Sequence, residues 1–551
     1  MELKQKFIEL LNKRGITSEE DIREYLSDKP QKTYDPFLLL NMEAGVDLIL
    51  SAIEADEKIC IYGDYDADGI TSTVIMLEVL SNLTKRLMYY IPSRFDEGYG
   101  MNRAAVEKIH DKGVDLIITV DCGSVSCDEV DYARSLGMEV LVTDHHTITD
   151  KKASGLVINP TQKECPYPFK YLAGCGVAFK VAQAIVAETG LPKSILTRTL
   201  DLVGIGTIGD IVPLIGENRT LAKYGLRAIN TSARENLGAL IEATGLHPGH
   251  ITAENVSFVI VPHLNAVGRM DHASKAVEML MEKDPARVRE LAMELAHCNS
   301  ERKHVQEGIY KECVAIVDEK FADSKFLVID LPNAHEGVTG IVAGKIKDRY
   351  YKPTIIVTPT GDGCLKGTGR SIDGVNIYDM LKDNEELFLR FGGHAAACGF
   401  TMKEEDLQKL RGNLDGAAGR IFEKSPETFD RNISPELKLE PADIDLELMS
   451  DFDKLEPCGC ANTKPLVSVR GNVANYSRIG NQNQYMRFTA EMDGGITLPC
   501  VDFRDADSIE SMFQKEPEGI FDFMGYLAAR TWKGNTTIQM TVENAQVNLK
   551  D

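Results

Sequence analysis

The stretch Gly63-Asp64-Tyr65-Asp66-Ala67-Asp68-Gly69 follows the apolar run Ile59–Tyr62 and carries three carboxylates between two glycines. Side chains alternate along an extended segment, so Asp64, Asp66 and Asp68 are expected to share one face. Three carboxylates so placed repel one another unless a divalent cation neutralises them, and hard cations such as Mg2+ and Mn2+ prefer oxygen ligands. Taken alone, the stretch reads equally well as a solvated acidic turn whose aspartate caps the next helix. Asp121 stands after a second apolar run, Leu116–Val120, and His145 and His146 stand after a third, in Thr143-Asp144-His145-His146. Imidazole nitrogens complement carboxylates, and Asp/His ligation with no cysteine in the cluster favours Mn2+ or Mg2+ over Zn2+. Asp210, in GTIGDIVPL, lies between an apolar segment and a proline and by itself reads as a turn.

A second group of residues suits phosphate. Asn265, Gly268 and Arg269 in VPHLNAVGRM offer an amide and a guanidinium in what reads as a glycine-containing turn. KGTGRSIDG and RFGGHAAACGF combine glycines with Arg370, Ser371 and His394. Glycine lets a backbone approach a phosphate, and arginine grips its oxygens with two prongs. Neither stretch is a P-loop, because no G-x-x-x-x-G-K-[ST] is present.

These residues must be positioned by the elements between them. From about residue 57, short β-branched runs alternate with amphipathic helical stretches, the pattern of βαβ units in a doubly wound α/β domain with a parallel sheet. In such a sheet, ligands sit beyond the carboxyl ends of the strands, so three strand ends bearing acids and histidines converge on one place. Residues 284–320 keep a helical apolar period without a proline after the first turn, as a long helix bridging two domains does. A second α/β unit follows, and five strand-like runs after residue 455 suggest a small β-barrel.

The 551 residues suit several domains, and 43% hydrophobic with 26% charged residues is a soluble globular composition. No apolar run approaches the roughly 18 residues of a membrane span, so a cytoplasmic protein without membrane association is expected. The net charge of −23 argues against a non-specific nucleic-acid binder but allows a local basic groove or contact with phosphate through metal ions. Twelve scattered cysteines suit reduced thiols, and Cys458 and Cys460 have no second Cys/His pair nearby to complete a zinc site.

In order, GDYDADG, the Val120-Asp121 pair, DHH and GDIVPL resemble the motifs of the DHH phosphoesterase superfamily, and GRS with FGGHAAACGF resembles its associated C-terminal domain. EGYG at 97–100, NAVGRM, HEGVTGIVAGKI and the terminal barrel make the chain similar, over nearly its whole length, to the RecJ-type exonucleases within it. The resemblance implies a helical segment at 1–45, a DHH domain at 46–283, a connecting helix at 284–320, a DHH-associated domain at 321–430 and an OB-fold barrel at 431–551. It also implies a metal-dependent 5′-to-3′ exonuclease of single-stranded DNA in repair and recombination, working through two Mn2+ or Mg2+ ions. The alternative in the same superfamily is an oligoribonuclease or a cyclic-dinucleotide phosphodiesterase, typically shorter and without the barrel.

By the same resemblance, Asp66 and Asp68 hold separate metals, Asp121 bridges them, and His145 and Asp210 complete the site with Asp68. Asp64 and His146 lie beside these ligands, while Arg370, Ser371 and His394 grip a phosphate with Asn265 and Arg269 nearby. In the barrel, Tyr476, Tyr485, Phe488 and Trp532 are candidates for base stacking, and Arg478, Arg487 and Lys533 for phosphate. Implied partners are single-stranded DNA, a single-strand-binding protein and a helicase, with a monomer as the working unit. The chain departs from the family pattern at His263, where arginine is usual, in NAHEG before its histidine, and in EPCGCANTKP.

Overall fold

Ile59–Tyr62 is an all-buried run whose alternate residues feed opposite layers: Ile59 and Ile61 join one core, Cys60 and Tyr62 the other. This is how a strand with both faces covered by helices must be built. The computed structural model describes residues 3–98, 100–148, 151–232, 234–361, 363–431, 433–504, 506–532 and 534–547. Tyr99 of the EGYG run and Lys533 lie outside the described residues.

The first sheet contains β1 (Ile59–Tyr62), β2 (Leu87–Tyr90), β3 (Leu116–Val120), β4 (Glu139–Thr143) and β5 (Leu156–Ile158), all parallel, in the order β2-β1-β3-β4-β5. Strand order reverses at β1, so the crevice between the ends of β1 and β3 is where an open α/β sheet receives a ligand. The helices Gly174–Thr189 and Ser194–Gly209 pack against the helix Ala67–Leu80 that follows β1, and Gly216–Ser232 packs on Ser194–Gly209.

A 36-residue helix, Pro285–Lys320, leads to the second sheet. That sheet contains β6 (Leu327–Asp330), β7 (Thr354–Pro359), β8 (Cys364–Arg370), β9 (Phe388–His394) and β10 (Ala397–Lys403), in the order β6-β7-β8-β10-β9. Leu291 and Leu295 of the long helix pack into the first domain's core, whereas Ile309, Cys313 and Val317 pack into the layer against β6 and β7.

The third sheet contains β11 (Leu437–Lys438), β12 (Val467–Ile479), β13 (Tyr485–Glu491), β14 (Thr497–Asp502), β15 (Phe521–Trp532) and β16 (Asn535–Val547). Pairing of β12 with β15 closes it into a barrel, with the helix Ala506–Lys515 between β14 and β15. The N-terminal segment does not stand alone. Phe7, Leu10, Leu11 and Leu26, from the helices Gln5–Lys13 and Glu19–Leu26, share one core with Leu437, Phe452, Val467, Phe488 and Phe523. Arg14 clamps the junction with two hydrogen bonds to the Glu436 carboxylate, at 2.9 and 2.8 Å. All twelve cysteines are free thiols, and no described helix is long and apolar enough to cross a membrane.

Candidate metal centre and phosphate wall

The three aspartates after β1 do not lie in one extended run. Asp66 is the N-cap of the helix Ala67–Leu80, its Oδ1 accepting from the amides of Asp68 and Gly69 at 3.0 and 3.1 Å. Capture of those amides ends the extended phase at Asp66, so Asp68 belongs to the first helical turn and points elsewhere. Asp68 is buried and accepts from the amides of Gly174 (2.6 Å) and Cys175 (2.9 Å) at the start of another helix, an electropositive end that suits a carboxylate. Asp64 is buried, and its Oδ1 has no hydrogen-bond partner.

Asp121, at the end of β3, has φ +60°, a left-handed conformation that costs a non-glycine residue about 1 kcal/mol or more. Such an outlier persists where the surrounding structure imposes it. A Cβ on Gly174 would lie 2.4 Å from Asp121 Oδ1, so only glycine allows this approach. Asp210 is the C-cap of the helix Ser194–Gly209.

His145 Nε2 lies 3.1 Å from Asp121 Oδ1, 3.5 Å from Asp210 Oδ2 and 3.9 Å from Asp68 Oδ2. Candidate ligand atoms fall into three overlapping sets, each within 4.8 Å: Asp64, Asp66 and Asp121; Asp68, His145 and Asp210; Asp121, His145 and His146. Asp121 is thus common to two sets and His145 to two, and Asp64 stands among the oxygens rather than beside them. Asp144, which sequence reasoning passed over, holds the turn: its carboxylate accepts from the amides of Ser124, His145 and His146 and binds His146 Nδ1 at 2.8 Å. The signal was present in the first letter of the DHH run.

Burial, then the charge of Asp68 and Asp66, raises Asp121 well above the usual carboxylate range and raises Asp210 to about 9. Burial and neighbouring aspartates raise Asp64 and Asp66 as well. Burial lowers His145, leaving its ring neutral and able to ligate. Burial also opposes the charge on His146, but the Asp144 carboxylate outweighs it and raises that ring to about 9.

Hard divalent cations fit this site. Asp64 Oδ1, Asp121 Oδ1 and His145 Nε2 are buried atoms without hydrogen bonds, and unpaired buried acceptors of this kind call for a cation. A pH dependence follows. Where a folded carboxylate's pKa is raised, its contribution to stability is present below the unfolded value, near 4, and is lost as pH rises through the folded value. In EDTA, the melting temperature is expected to fall from about pH 6 to pH 9, the upper limit being set by Asp210. Added Mn2+ should raise it by an increment that grows with pH. A pH-independent increment in differential scanning fluorimetry would refute this coupling.

Beyond the acids stands a wall of arginines. Arg269 is lowered to about 9 by burial and by Arg94 and Arg302, with Asp66 and Arg370 also acting on it. Arg94 covers the Tyr65 ring at 4.1 Å, and Arg269 Nη1 donates to the Gly337 carbonyl at 3.0 Å. Like charges gathered beside a carboxylate site suit a phosphate chain. Arg94 and Arg302 carry no sequence signal beyond their type.

The other expected residues stand in varied settings. Asn265 and Arg269 sit on the helix Val261–Met270, not in a turn, because Pro262 occupies its first turn, where a missing N–H costs nothing. Ser371 Oγ donates to the Val375 carbonyl at 2.6 Å, so its proton serves the turn. Exposed His394 accepts from the Ala396 amide at the β9–β10 hairpin, and no contact joins it to the carboxylates among the described residues. In the barrel, Phe488 is core, packed on Phe513 and Phe523. Arg478 is paired with Asp507 and Glu510. Tyr476 and Arg487 are exposed, Tyr485 meets Phe503 edge-on, and Trp532 ends β15, where only its backbone is described.

Between the site and the barrel runs a cleft of about 1120 Å³, lined by Asn265, Arg269 and Arg302 on one side and Tyr526, Leu527 and Arg530 on the other.

Three family models match the chain: the DHH family N-terminal domain over residues 58–207, the DHHA1 domain over 323–419 and the RecJ OB domain over 436–544. The chain is 37% identical over 545 residues to the single-stranded-DNA-specific exonuclease RecJ of Bacillus subtilis, covering 98% of this chain and 67% of that one. It is 32% identical over 553 residues to the RecJ of Escherichia coli, covering 96% and 94%. The crystal structure of Thermus thermophilus RecJ with Mn2+ superposes with a TM-score of 0.82 at 27% identity, covering 100% of this chain and 79% of that one. The same protein with Mg2+ gives 0.78, covering 100% and 75%.

Proposed function

Since the chain belongs to the RecJ family of single-stranded-DNA-specific exonucleases, we propose that its carboxylate cluster hydrolyses phosphodiester bonds of single-stranded DNA from the 5′ end. The protein is a metal-dependent exonuclease whose cofactor is Mn2+ or Mg2+. The observation that carries the reading is the meeting of two ligand sets at one sheet edge, Asp121 of the first lying 3.1 Å from His145 of the second.

Asp64, Asp66 and Asp121 would hold one cation, and Asp68, His145 and Asp210 a second. Bound there, the two ions supply Lewis acidity, lowering the pKa of water and neutralising charge that develops on the phosphoryl oxygens. The chain's own residues do the rest. The Gly174 and Cys175 amides fix Asp68, and Asp144 fixes the two histidines. Arg269 and Arg370, both buried enough to have lowered pKa values, offer guanidinium groups to the phosphate in a site of low dielectric. No side-chain nucleophile is needed.

The cleft leading to the barrel favours a long strand over a dinucleotide. The reading extends to repair and recombination in the cytoplasm, with a helicase opening the duplex, a single-strand-binding protein holding the strand, and one chain as the working unit.

With Mn2+, a 5′-labelled single strand is expected to release its label as the first product, while a 3′-labelled strand shortens progressively and a blunt duplex resists. Faster turnover of a dinucleotide than of the strand, or prior loss of the 3′ label, would overturn the proposal.

A further inference from the structure

The helix Pro285–Lys320 turns one face to its neighbours along its length, and at helical spacing that face reads Val288, Leu291, Leu295, then Ile309, Cys313 and Val317. Its middle is different. Asn299, Arg302 and Gln306 continue the same stripe, and all three are polar and buried. Here the two cores part, and Arg302 lines the cleft between the active site and the barrel.

A defined set of hydrogen bonds holds this arginine. His263 Nδ1 lies 2.6 Å from the Val259 carbonyl, which can only accept, so Nδ1 carries the proton. His263 Nε2 is then an acceptor, facing Asn299 Nδ2 at 3.1 Å. That leaves Asn299 Oδ1 to accept from Arg302 Nε at 3.0 Å, while Gln306 Oε1 accepts from Arg302 Nη1 at 2.8 Å. Both partners of the guanidinium are neutral amides, and among the described residues no carboxylate forms an ion pair with it. Burial lowers its pKa, the expected result for a desolvated cation without a counter-charge. Amides oriented as acceptors keep the charge intact and aim it, whereas an acid would cancel it.

We propose that Arg302 contacts a phosphate of the bound strand between the scissile bond and the barrel, and that His263 and Asn299 are positioning residues that aim it. This rests on the single-strand reading above. The usual arginine at position 263 is absent, and the histidine there serves the arginine of the long helix instead.

The test is steady-state hydrolysis of a 5′-phosphorylated single strand with Mn2+ at several KCl concentrations. Arg302→Gln is expected to raise KM about tenfold, with kcat changed less than about threefold. Each single-strand phosphate contact contributes about 0.7 to the slope of log(kcat/KM) against log[salt], and this variant should lose one such increment. Arg302→Lys, which keeps the charge, should recover most of the slope. Asn299→Asp keeps the acceptor for Arg302 Nε but pairs the guanidinium and offers no donor to His263 Nε2, so it too should raise KM. A merely structural Arg302 would be held more tightly by that aspartate and leave KM unchanged.

Wild-type KM and salt slope in Arg302→Gln overturn the inference, as does a wild-type KM in Asn299→Asp, which decides the matter if the first variant fails to fold. Absence of single-strand hydrolysis by the unsubstituted protein removes the functional reading itself, and the inference with it.

Discussion

Asp121→Ala is expected to lower the rate of single-strand hydrolysis by at least about 10³-fold at saturating Mn2+, with the fold intact. Losing a single transition-state donor costs on the order of 10²–10³ in kcat, and this carboxylate serves two ligand sets. It is buried, its Oδ1 has no hydrogen bond, and His145 Nε2 lies 3.1 Å from it. Those same facts bear on stability. Without metal, Asp121 adds to the mutual repulsion of Asp64, Asp66, Asp68 and Asp210, so deleting it removes an unfavourable interaction. The backbone at φ +60° costs alanine about what it costs aspartate, so it adds little to the difference. The metal-free variant should therefore melt no lower than the metal-free parent, while the gain in melting temperature from Mn2+ shrinks. Single-turnover degradation and thermal melts measure both. Activity within tenfold of the parent would show that Asp121 does not serve the reaction.

The second large effect lies away from the chemistry. Lys180 and Glu217 form an ion pair at 2.6 Å with side chains 1% and 0% exposed. Lys180 Nζ also donates to the Tyr34 carbonyl at 2.7 Å, and Glu217 accepts from the Tyr167 hydroxyl and the Tyr34 amide. Lys180→Met leaves a buried carboxylate without its cation and is expected to cost about 3–5 kcal/mol in urea unfolding. Lys180→Met combined with Glu217→Gln removes the charge, keeps an acceptor for the Tyr34 amide and turns an N–H toward the Tyr167 hydroxyl, which can accept, and should recover most of that loss. Lys180 lies on the helix whose first amides hold Asp68, and Glu217 begins the helix that follows Asp210. The single variant should therefore also weaken Mn2+ binding, and the double variant restore it. Equal stability of the single and double variants would refute the pair's role.

How far the sequence reveals this site depends on the range of the interaction involved. The acids at the ends of β1 and β3 and the histidines after β4 are legible because a parallel sheet delivers its strand ends to one edge. That Asp66 caps a helix while Asp68 lies inside it is a matter of one captured pair of amides, which alternation does not encode. Arg478 looks like a free cation in sequence, but the acids that pair with it lie on a helix 29 and 32 residues away. Phe488 is one of two aromatics in β13, three residues from Tyr485, and only barrel closure decides that its ring faces inward. Arg94 and Arg302 belong to the site through tertiary packing alone.

The shared core of the first two helices and the barrel has a consequence for synthesis on the ribosome. Lys13 donates to the carbonyl of Glu436, 423 positions later. At about 5–20 residues per second, roughly 20–85 s pass between the emergence of Phe7, Leu10 and Leu11 and that of the strands that cover them. Through that interval the nascent chain carries an amphipathic helix with a bare apolar stripe, while the nuclease domain beside it can already fold. A segment that leaves the ribosome well before the barrel thus finds its place only with it, and it has much to gain from a chaperone.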